Sequence, residues 1–282
     1  MAQQPANRDR PVVTTTAEAL PAVSAATVLL LRDGSAGPEV FMLERHLKSD
    51  FIGGAYVFPG GKVDGFDRSL SASMWTGIDL PATGARMRQT EAEALGSHVA
   101  AVRETFEESG ILLGSRAGRP LVAADLLAPS FQVARERLCS RDDDWDWRPW
   151  LREERLVLDL GQLAWWSWWV TPAGVHRRFD TRFFVAVMPG DQVAAHDRVE
   201  TTNSRWVTPE EALQAASSGQ VQIIFPTRKN LEALRSFDTV AAAIKAAREG
   251  GVDTRRVQPE LVTDDDGRQR VRHPYSGDLE DI

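Results

Sequence analysis

The 282-residue sequence has almost none of the cysteine that a disulfide or a cysteine-based zinc site would need. Cys139 is its single cysteine, which excludes an intrachain disulfide and suits the reducing conditions of the cytoplasm. The sequence also lacks any apolar run near the roughly 20 residues that span a bilayer. We therefore predict a cytoplasmic protein that has no membrane partner.

Basic residues are outnumbered. The chain has 33 Lys and Arg against 40 Asp and Glu, a net charge of −7, so its overall charge does not favour a nucleic-acid partner. With 43% hydrophobic and 26% charged residues, the composition is typical of a soluble globular protein with a substantial core. Residues 1–20 contain no apolar signal core and are predicted to form a disordered leader.

Short apolar runs between turn residues predict an α/β domain over residues 21–237, built on a mixed β-sheet. Residues 24–33 and 39–45 are predicted to form a hairpin, and the next strand is broken at Pro59-Gly60-Gly61. Residues 91–109 are predicted to form a helix that ends at Gly110. Its apolar stripe would consist of Val99, Val102 and Phe106.

Two segments are predicted to be additions to this domain. Residues 68–90 are rich in Ser, Gly, Pro and Thr and predict a surface insertion with one helical turn. Residues 115–160 combine helical segments with the polar, tryptophan-containing stretch RDDDWDWRPWLREER. Residues 238–282 predict a C-terminal helix and a polar tail with a hairpin at Asp266-Gly267.

Three glutamates share one face of the predicted helix. Glu104, Glu107 and Glu108 have the i, i+3, i+4 spacing of neighbours on a helix surface. Carboxylates that converge in this way repel one another unless a cation compensates, and hard divalent cations prefer oxygen ligands beside substrate phosphates. The helix therefore predicts a metal–diphosphate site, and an ordinary solvated Glu-rich face is the alternative.

The residues around these glutamates resemble the box of the nudix hydrolase superfamily. In that box a Gly is followed by an acidic residue six positions later and by Arg-Glu-x-x-Glu-Glu-x-Gly after seven more. Gly61 and Asp67 fit the first part, with Asp in place of Glu, but Arg103 comes 28 residues later than the pattern places it. A nudix branch that includes a coenzyme A diphosphatase of mammalian peroxisomes is similar in carrying a long insertion here, and in FMLERHLKSDFIGGAYVFPGG and RWVTPEEAL.

The resemblance implies a nudix α/β/α sandwich around a mixed β-sheet, with helical insertions. It implies that Mg²⁺ or Mn²⁺ ions are held by the three helix glutamates with help from the Gly61 carbonyl. Glu107 or Glu108 would act in catalysis, Glu200 is the candidate general base from a later loop, and Arg103 would orient a glutamate. Superfamily members are often homodimers, so a homodimer is also expected.

Substrate recognition is predicted outside the box. Arg45, Arg178 and Arg182 are candidates to grip phosphates, with ordinary surface arginines as the alternative. Gly60 allows a close approach of the backbone to a ligand. In the WWSWW stretch, strand alternation would put Trp165 and Trp169 on one side and Trp166 and Trp168 on the other. Trp169 is the candidate to stack on a base, and burial in the core is the alternative.

The resemblance implies hydrolysis of a diphosphate bond in a nucleoside diphosphate derivative. Coenzyme A or an acyl-CoA is the expected substrate, with phosphopantetheine and 3′,5′-ADP as products. ADP-ribose or NADH is the alternative substrate, and a non-catalytic nudix-fold nucleotide-binding regulator is the alternative of another class. Residues 68–90, which interrupt the box, are expected to influence substrate choice.

Overall fold

The computed structural model describes residues 20–45, 54–140, 145–196, 201–264 and 266–281. In chain order the strands are β1 (Val23–Gly34), β2 (Gly37–Arg45), β3 (Tyr56–Val57), β4 (Gly60–Lys62), β5 (Trp75–Thr76), β6 (Gly114–Arg116), β7 (Arg119–Pro120), β8 (Leu156–Asp159), β9 (Ala164–Val170), β10 (Phe179–Val187), β11 (Thr201–Val207), β12 (Arg256–Val257), β13 (Glu260–Thr263), β14 (Gln269–Arg272) and β15 (Leu279–Asp281). The helices are α1 (Leu80–Met87), α2 (Glu91–Ser109), α3 (Ala123–Leu126), α4 (Pro129–Cys139), α5 (Arg148–Glu153), α6 (Pro209–Ser217), α7 (Phe225–Leu234) and α8 (Val240–Glu249).

The main sheet is mixed and has the strand order β11-β2-β1-β10-β9-β12, with β3 paired to β2 and β4 paired to β1. The fully buried apolar run of β1 explains its central position. β1 pairs in parallel with β10 and antiparallel with β2, which confirms the predicted hairpin. Pro59 separates β3 from β4, as the strand-breaking Pro-Gly-Gly predicted.

Helices cover both faces of this sheet, and each face has its own apolar core. On one side α2 packs its buried stripe of Val99, Val102 and Phe106 against β1, as predicted. On the other side α6, α7 and α8 supply buried apolar residues to the second core. Thr90 caps α2 in a capping box with Glu93, and Gly110 ends the helix in the left-handed conformation at φ 75°.

The two additions build one small sheet together. Its order is β5-β8-β6-β7, so residues 75–76 of the first addition pair with residues 158–159 of the second. The first addition is more than a surface loop with one helical turn, because it contains the eight-residue helix α1 and buries Leu70, Met74 and Met87 in the α2-side core. These apolar residues are too widely spaced to show a periodic pattern in the sequence.

The tryptophan strand β9 does not alternate as predicted. All four tryptophans are buried, but Trp165 and Trp168 lie in the α2-side core whereas Trp166 and Trp169 lie in the opposite core. The cause is a register shift opposite Phe183 and Phe184 of β10, where the pairing skips Trp166. Such a β-bulge places one additional residue on the strand and changes which side chains share a face.

The C-terminal residues extend the fold beyond α8. Strand β12 joins the main sheet beside β9, and β13, β14 and β15 form a separate antiparallel sheet. The turn between β13 and β14 contains Gly267 at φ 78°, which confirms the predicted hairpin. Among the described residues, no helix is long and apolar enough to cross a membrane. The predicted leader lies in residues 1–20, of which the structure describes only the last.

Candidate active site

The Gly-Gly turn and the acidic helix meet directly. The backbone N–H of Gly60 donates a hydrogen bond to Glu108 Oε2 at 2.8 Å. A Cβ atom on Gly61 would lie 2.5 Å from Glu104 Oε1, a distance that real Cβ atoms do not tolerate. Gly61 therefore leaves the space that the Glu104 carboxylate occupies. Strand β4 and helix α2 together bring the predicted glycines to the predicted glutamates.

Asp67 and Arg103 form a buried ion pair across the interrupted box. Arg103 Nε donates to Asp67 Oδ1 at 3.1 Å and Arg103 Nη2 donates to Asp67 Oδ2 at 3.0 Å. The same Oδ2 accepts the backbone N–H of Asp64 at 2.9 Å. Asp67 is fully buried and Arg103 is 6% exposed. The shorter acidic residue thus reaches the arginine with the two-pronged geometry that a carboxylate and a guanidinium favour.

Arg103 also positions two of the predicted metal ligands. Its Nη1 donates to Glu104 at 2.9 Å and to Glu107 at 3.5 Å, and its Nη2 donates to the Lys62 carbonyl at 2.8 Å. Burial would lower the pKa of the Arg103 guanidinium, but the carboxylates of Glu104 and Asp67 outweigh it and hold that pKa well above its usual value. Burial raises the pKa of the Glu104 carboxyl, and Arg103 opposes this shift. The arginine is therefore charged and holds the Glu104 and Glu107 carboxylates by hydrogen bonds.

The carboxylate oxygens suit a hard cation but do not form a complete coordination sphere. Glu104, Glu107 and Glu108 present carboxylate oxygens to one cavity, and the Gly61 backbone lies against Glu104. Within the described ranges, no three acidic, histidine or cysteine side chains converge tightly enough to hold a metal on their own. This arrangement fits Mg²⁺ and Mn²⁺, which retain waters and complete their coordination with substrate phosphates.

A cavity of about 1250 Å³ extends from these carboxylates. Gly60, Gly61, Asp67 and Arg103 line it beside the glutamates, so the predicted site and the cavity coincide. Pockets for small ligands are typically 300–1,000 Å³, so this cavity has room for a large substrate. Its lining combines the polar box residues with aromatic and aliphatic side chains from β9, α7 and the C-terminal sheet.

Two of the five predicted substrate-binding residues lie elsewhere. Arg45, Gly60 and Trp169 line the cavity. Arg178 does not, and its guanidinium donates to the backbone carbonyls of residues 20, 171 and 172. Arg182 is 4% exposed, pairs with Asp180 and lies 3.7 Å from the Trp168 ring centroid. Both arginines are thus engaged within the fold, so the expectation that they grip phosphates does not match their placement. Glu200 lies outside the described residues.

The cavity is lined by the second addition rather than by the first. None of residues 68–90 lines it, so the structure shows no direct contact through which they would influence substrate choice. Arg137, Cys139, Trp145 and Trp147 of the second addition do line it, and none was predicted to be a site residue. The Arg137 guanidinium lies 4.7 Å from the Trp145 ring centroid. The tryptophans interleaved with charge in this segment were the signal that could have identified them.

Comparison with known proteins agrees with this geometry. Residues 17–234 match the family described as the NUDT19 Nudix domain. The chain belongs to the nudix hydrolase family. An acyl-coenzyme A diphosphatase NUDT19 from Gallus gallus is 30% identical over 243 residues, which cover 73% of this chain and 64% of the relative. The Homo sapiens protein of the same description is 28% identical over 247 residues, covering 73% of this chain and 62% of the relative.

A solved structure supports the nudix fold. The crystal structure of a nudix hydrolase from Alicyclobacillus acidocaldarius superposes with a TM-score of 0.65 at 28% sequence identity, covering 80% of this chain and 96% of that one. The predicted α/β nudix sandwich is therefore confirmed. The chain spans less than two thirds of the length of the curated relatives named above. Within the nudix box, Asp67 and Arg103 are 36 positions apart in sequence and in direct contact in space.

Proposed function

We propose that this nudix chain is a metal-dependent diphosphatase that acts on coenzyme A or an acyl-CoA. The observation that carries the proposal is the cavity of about 1250 Å³ in which three glutamates of α2 meet the Gly60-Gly61 turn. The curated relatives described as acyl-coenzyme A diphosphatases support the choice of substrate. The products would be 3′,5′-ADP and phosphopantetheine, acylated where the substrate is.

In this proposal the residues of the chain supply oxygen ligands for the metal ions and accept a proton from the attacking water. Bound Mg²⁺ or Mn²⁺ would supply neutralisation of the diphosphate charge and acidification of a water. Glu104, Glu107 and Glu108 would hold the ions, Arg103 orients Glu104 and Glu107, and the Gly60 N–H orients Glu108. A new bond from the water oxygen to one phosphorus replaces the bridging P–O bond.

The proton released by the water goes to a carboxylate, and the leaving phosphate departs from the broken bridge. Glu107, Glu108 and Glu200 are the candidates for this proton acceptor. Glu→Gln variants at the three positions separate them when turnover is measured at saturating Mg²⁺, since a lost metal ligand is compensated there at least in part and a lost proton acceptor is not. A reducing compartment such as the cytoplasm suits the single cysteine. The homodimer stays a prediction.

A substrate panel tests the proposal. The full chain is incubated with Mg²⁺ or Mn²⁺ and coenzyme A, an acyl-CoA, ADP-ribose or NADH, and the products are identified by mass spectrometry. We expect 3′,5′-ADP from coenzyme A and its ester, and a loss of about 100-fold or more in kcat for Glu107→Gln. Glu91→Gln, an exposed change at the other end of α2, serves as the matched control.

Two results would contradict the proposal. Turnover of ADP-ribose or NADH in preference to both coenzyme A compounds would transfer the function to the alternative substrates. The absence of turnover of every compound, with substrate binding retained, would indicate the non-catalytic regulator instead.

A further inference from the structure

The cavity has an apolar end that is remote from the glutamates. Four residues in register form a row across the main sheet: Lys62 on β4, Ala25 on β1, Thr181 on β10 and Trp169 on β9. All four line the cavity. Neighbouring strands are about 4.8 Å apart, so three strand spacings place Trp169 about 14 Å from the strand that carries the Gly-Gly turn. A ligand that reaches both ends must hold its diphosphate and its other end at least that far apart.

Apolar side chains from three elements share one core with Trp169 at this end. The Phe225 ring of α7 lies 5.6 Å from the Trp169 ring in a T-shaped arrangement. Leu261 of β13 and Val271 of β14 are direct cross-strand partners, so they share one face of the C-terminal sheet. Both line the cavity, with Val271 buried and Leu261 half-buried. This end therefore offers aromatic and aliphatic contacts on a sheet floor.

The C-terminal sheet is fixed to the nudix domain at this position. Strand β12 extends the main sheet through pairing with Trp168 and Trp169. Lys229 of α7 contacts Glu280 at 3.1 Å and Asp278 at 3.2 Å. Strands β12 to β15 all follow residue 234, where the match to the NUDT19 Nudix domain ends. This wall of the cavity thus lies outside the matched region.

We propose that Leu261 and Val271 on the C-terminal sheet, together with Trp169 and Phe225, bind an aliphatic acyl chain carried by the substrate. This subsite sets a preference for the acylated over the unacylated compound. The inference rests on the proposed function, because the diphosphate must occupy the glutamate end for the chain to lie at the other. An acyl chain fits because burying each methylene among such side chains can strengthen binding up to about fourfold.

The test separates binding from turnover. Affinities of the full-length protein for coenzyme A and for octanoyl-CoA are measured by calorimetry without added metal. We expect the octanoyl ester to bind at least about tenfold tighter to the wild type. Leu261→Trp fills the subsite and Leu261→Ala removes contacts, so each should lower the ratio of the two affinities by about fivefold or more.

Val262 supplies the matched control. It is the next residue on β13, pairs with Arg270 and points to the opposite face of the strand, and it does not line the cavity. Val262→Trp and Val262→Ala should keep the wild-type ratio. If Leu261→Trp fails to fold, as circular dichroism would show, Leu261→Ala decides the question.

Each outcome has one meaning. The acyl subsite is overturned if the wild type binds coenzyme A and octanoyl-CoA with equal affinity. It is also overturned if the Leu261 variants keep the wild-type ratio of the two affinities, as the Val262 variants should. The same proteins are then assayed with Mg²⁺. Tighter binding of octanoyl-CoA without hydrolysis supports the subsite and overturns the proposed function. Hydrolysis of both compounds with equal binding affinities supports the proposed function and overturns the subsite.

Discussion

Replacing Asp67 with Asn tests the ion pair that joins the two halves of the box. The side chain keeps its shape but loses its charge, and its amide group would face the guanidinium donors of Arg103. Asp67 is fully buried and accepts three hydrogen bonds, two from Arg103 and one from Asp64. Burial raises the pKa of Asp67 and Arg103 opposes the shift. Because both carboxylate oxygens accept from the same guanidinium, we expect Asp67 to be ionised at neutral pH.

The magnitude follows from the burial. Removing one partner of a buried ion pair typically costs about 3–5 kcal/mol, and the retained oxygen of Asn lowers this to about 2–3 kcal/mol. Among the residues that the structure describes, the charged or carbonyl partners that Arg103 then keeps are Glu104, Glu107, the Lys62 carbonyl and the exposed Asp64. Its charge competes more strongly with a metal for the two glutamates. The Mg²⁺ concentration for half-maximal activity should therefore rise about tenfold.

Asp64→Asn is the matched control for this change. Asp64 lies 3.3 Å from the same guanidinium but its side chain is 56% exposed, so the loss of its charge should cost less than about 1 kcal/mol. Urea denaturation at pH 7 gives both free energies of unfolding, and a Mg²⁺ titration of activity gives the second effect. Equal stabilities of Asp67→Asn and wild type would refute the reasoning, since they would show that Asp67 is protonated in the folded protein.

Four further predictions concern His98, the two glycines of the turn and Trp145. Burial lowers the pKa of His98 to about 4 from 6.5 in the unfolded chain, so unfolding binds a proton between these pH values. The contribution of His98 to the free energy of unfolding should therefore be fully present above pH 6.5 and fall by about 3 kcal/mol towards pH 4. His98→Leu should remove this pH dependence from urea denaturation curves measured across that range. Gly61→Ala should displace the Glu104 carboxylate and lower activity with little loss of stability. Gly60→Ala should instead destabilise the fold by about 2 kcal/mol, because its Cβ would lie 2.5 Å from a backbone oxygen of β1. Trp145→Ala should raise the KM for coenzyme A about tenfold if this ring stacks on the adenine, and an unchanged KM would exclude that role.

The features that the sequence predicted well depend on local patterns. Helix α2 shows its cap, its apolar stripe and its terminal glycine within 21 consecutive residues, so its bounds and its acidic face could be inferred directly. The β1–β2 hairpin was equally local. The arginines were different, because a guanidinium in a strand can face a cavity or the fold interior. Arg178 meets backbone carbonyls more than 150 positions apart in the chain, and no short pattern reveals such partners.

The tryptophan strand shows a second limit of local reasoning. Strict alternation predicted that Trp165 and Trp169 share one face of the strand. Because of the bulge at Trp166, Trp169 instead lies on the face opposite to Trp165. The bulge is defined only by the register against β10, which is a long-range property. Trp169 therefore shares a core with Phe225, and both rings line the cavity.

The distinction between local and long-range contacts also explains why the box tolerates an insertion. The nudix pattern consists of a glycine turn and a helix, which are joined in space by the Gly60–Glu108 hydrogen bond and by the buried pair of Asp67 and Arg103. Chain length between the two elements matters little, because the entropy cost of loop closure rises by only about 0.6 kcal/mol per doubling of length. The added residues also recover part of this cost by burying Leu70, Met74 and Met87 under the sheet. Deleting them should therefore lower the stability of the fold more than it changes substrate choice.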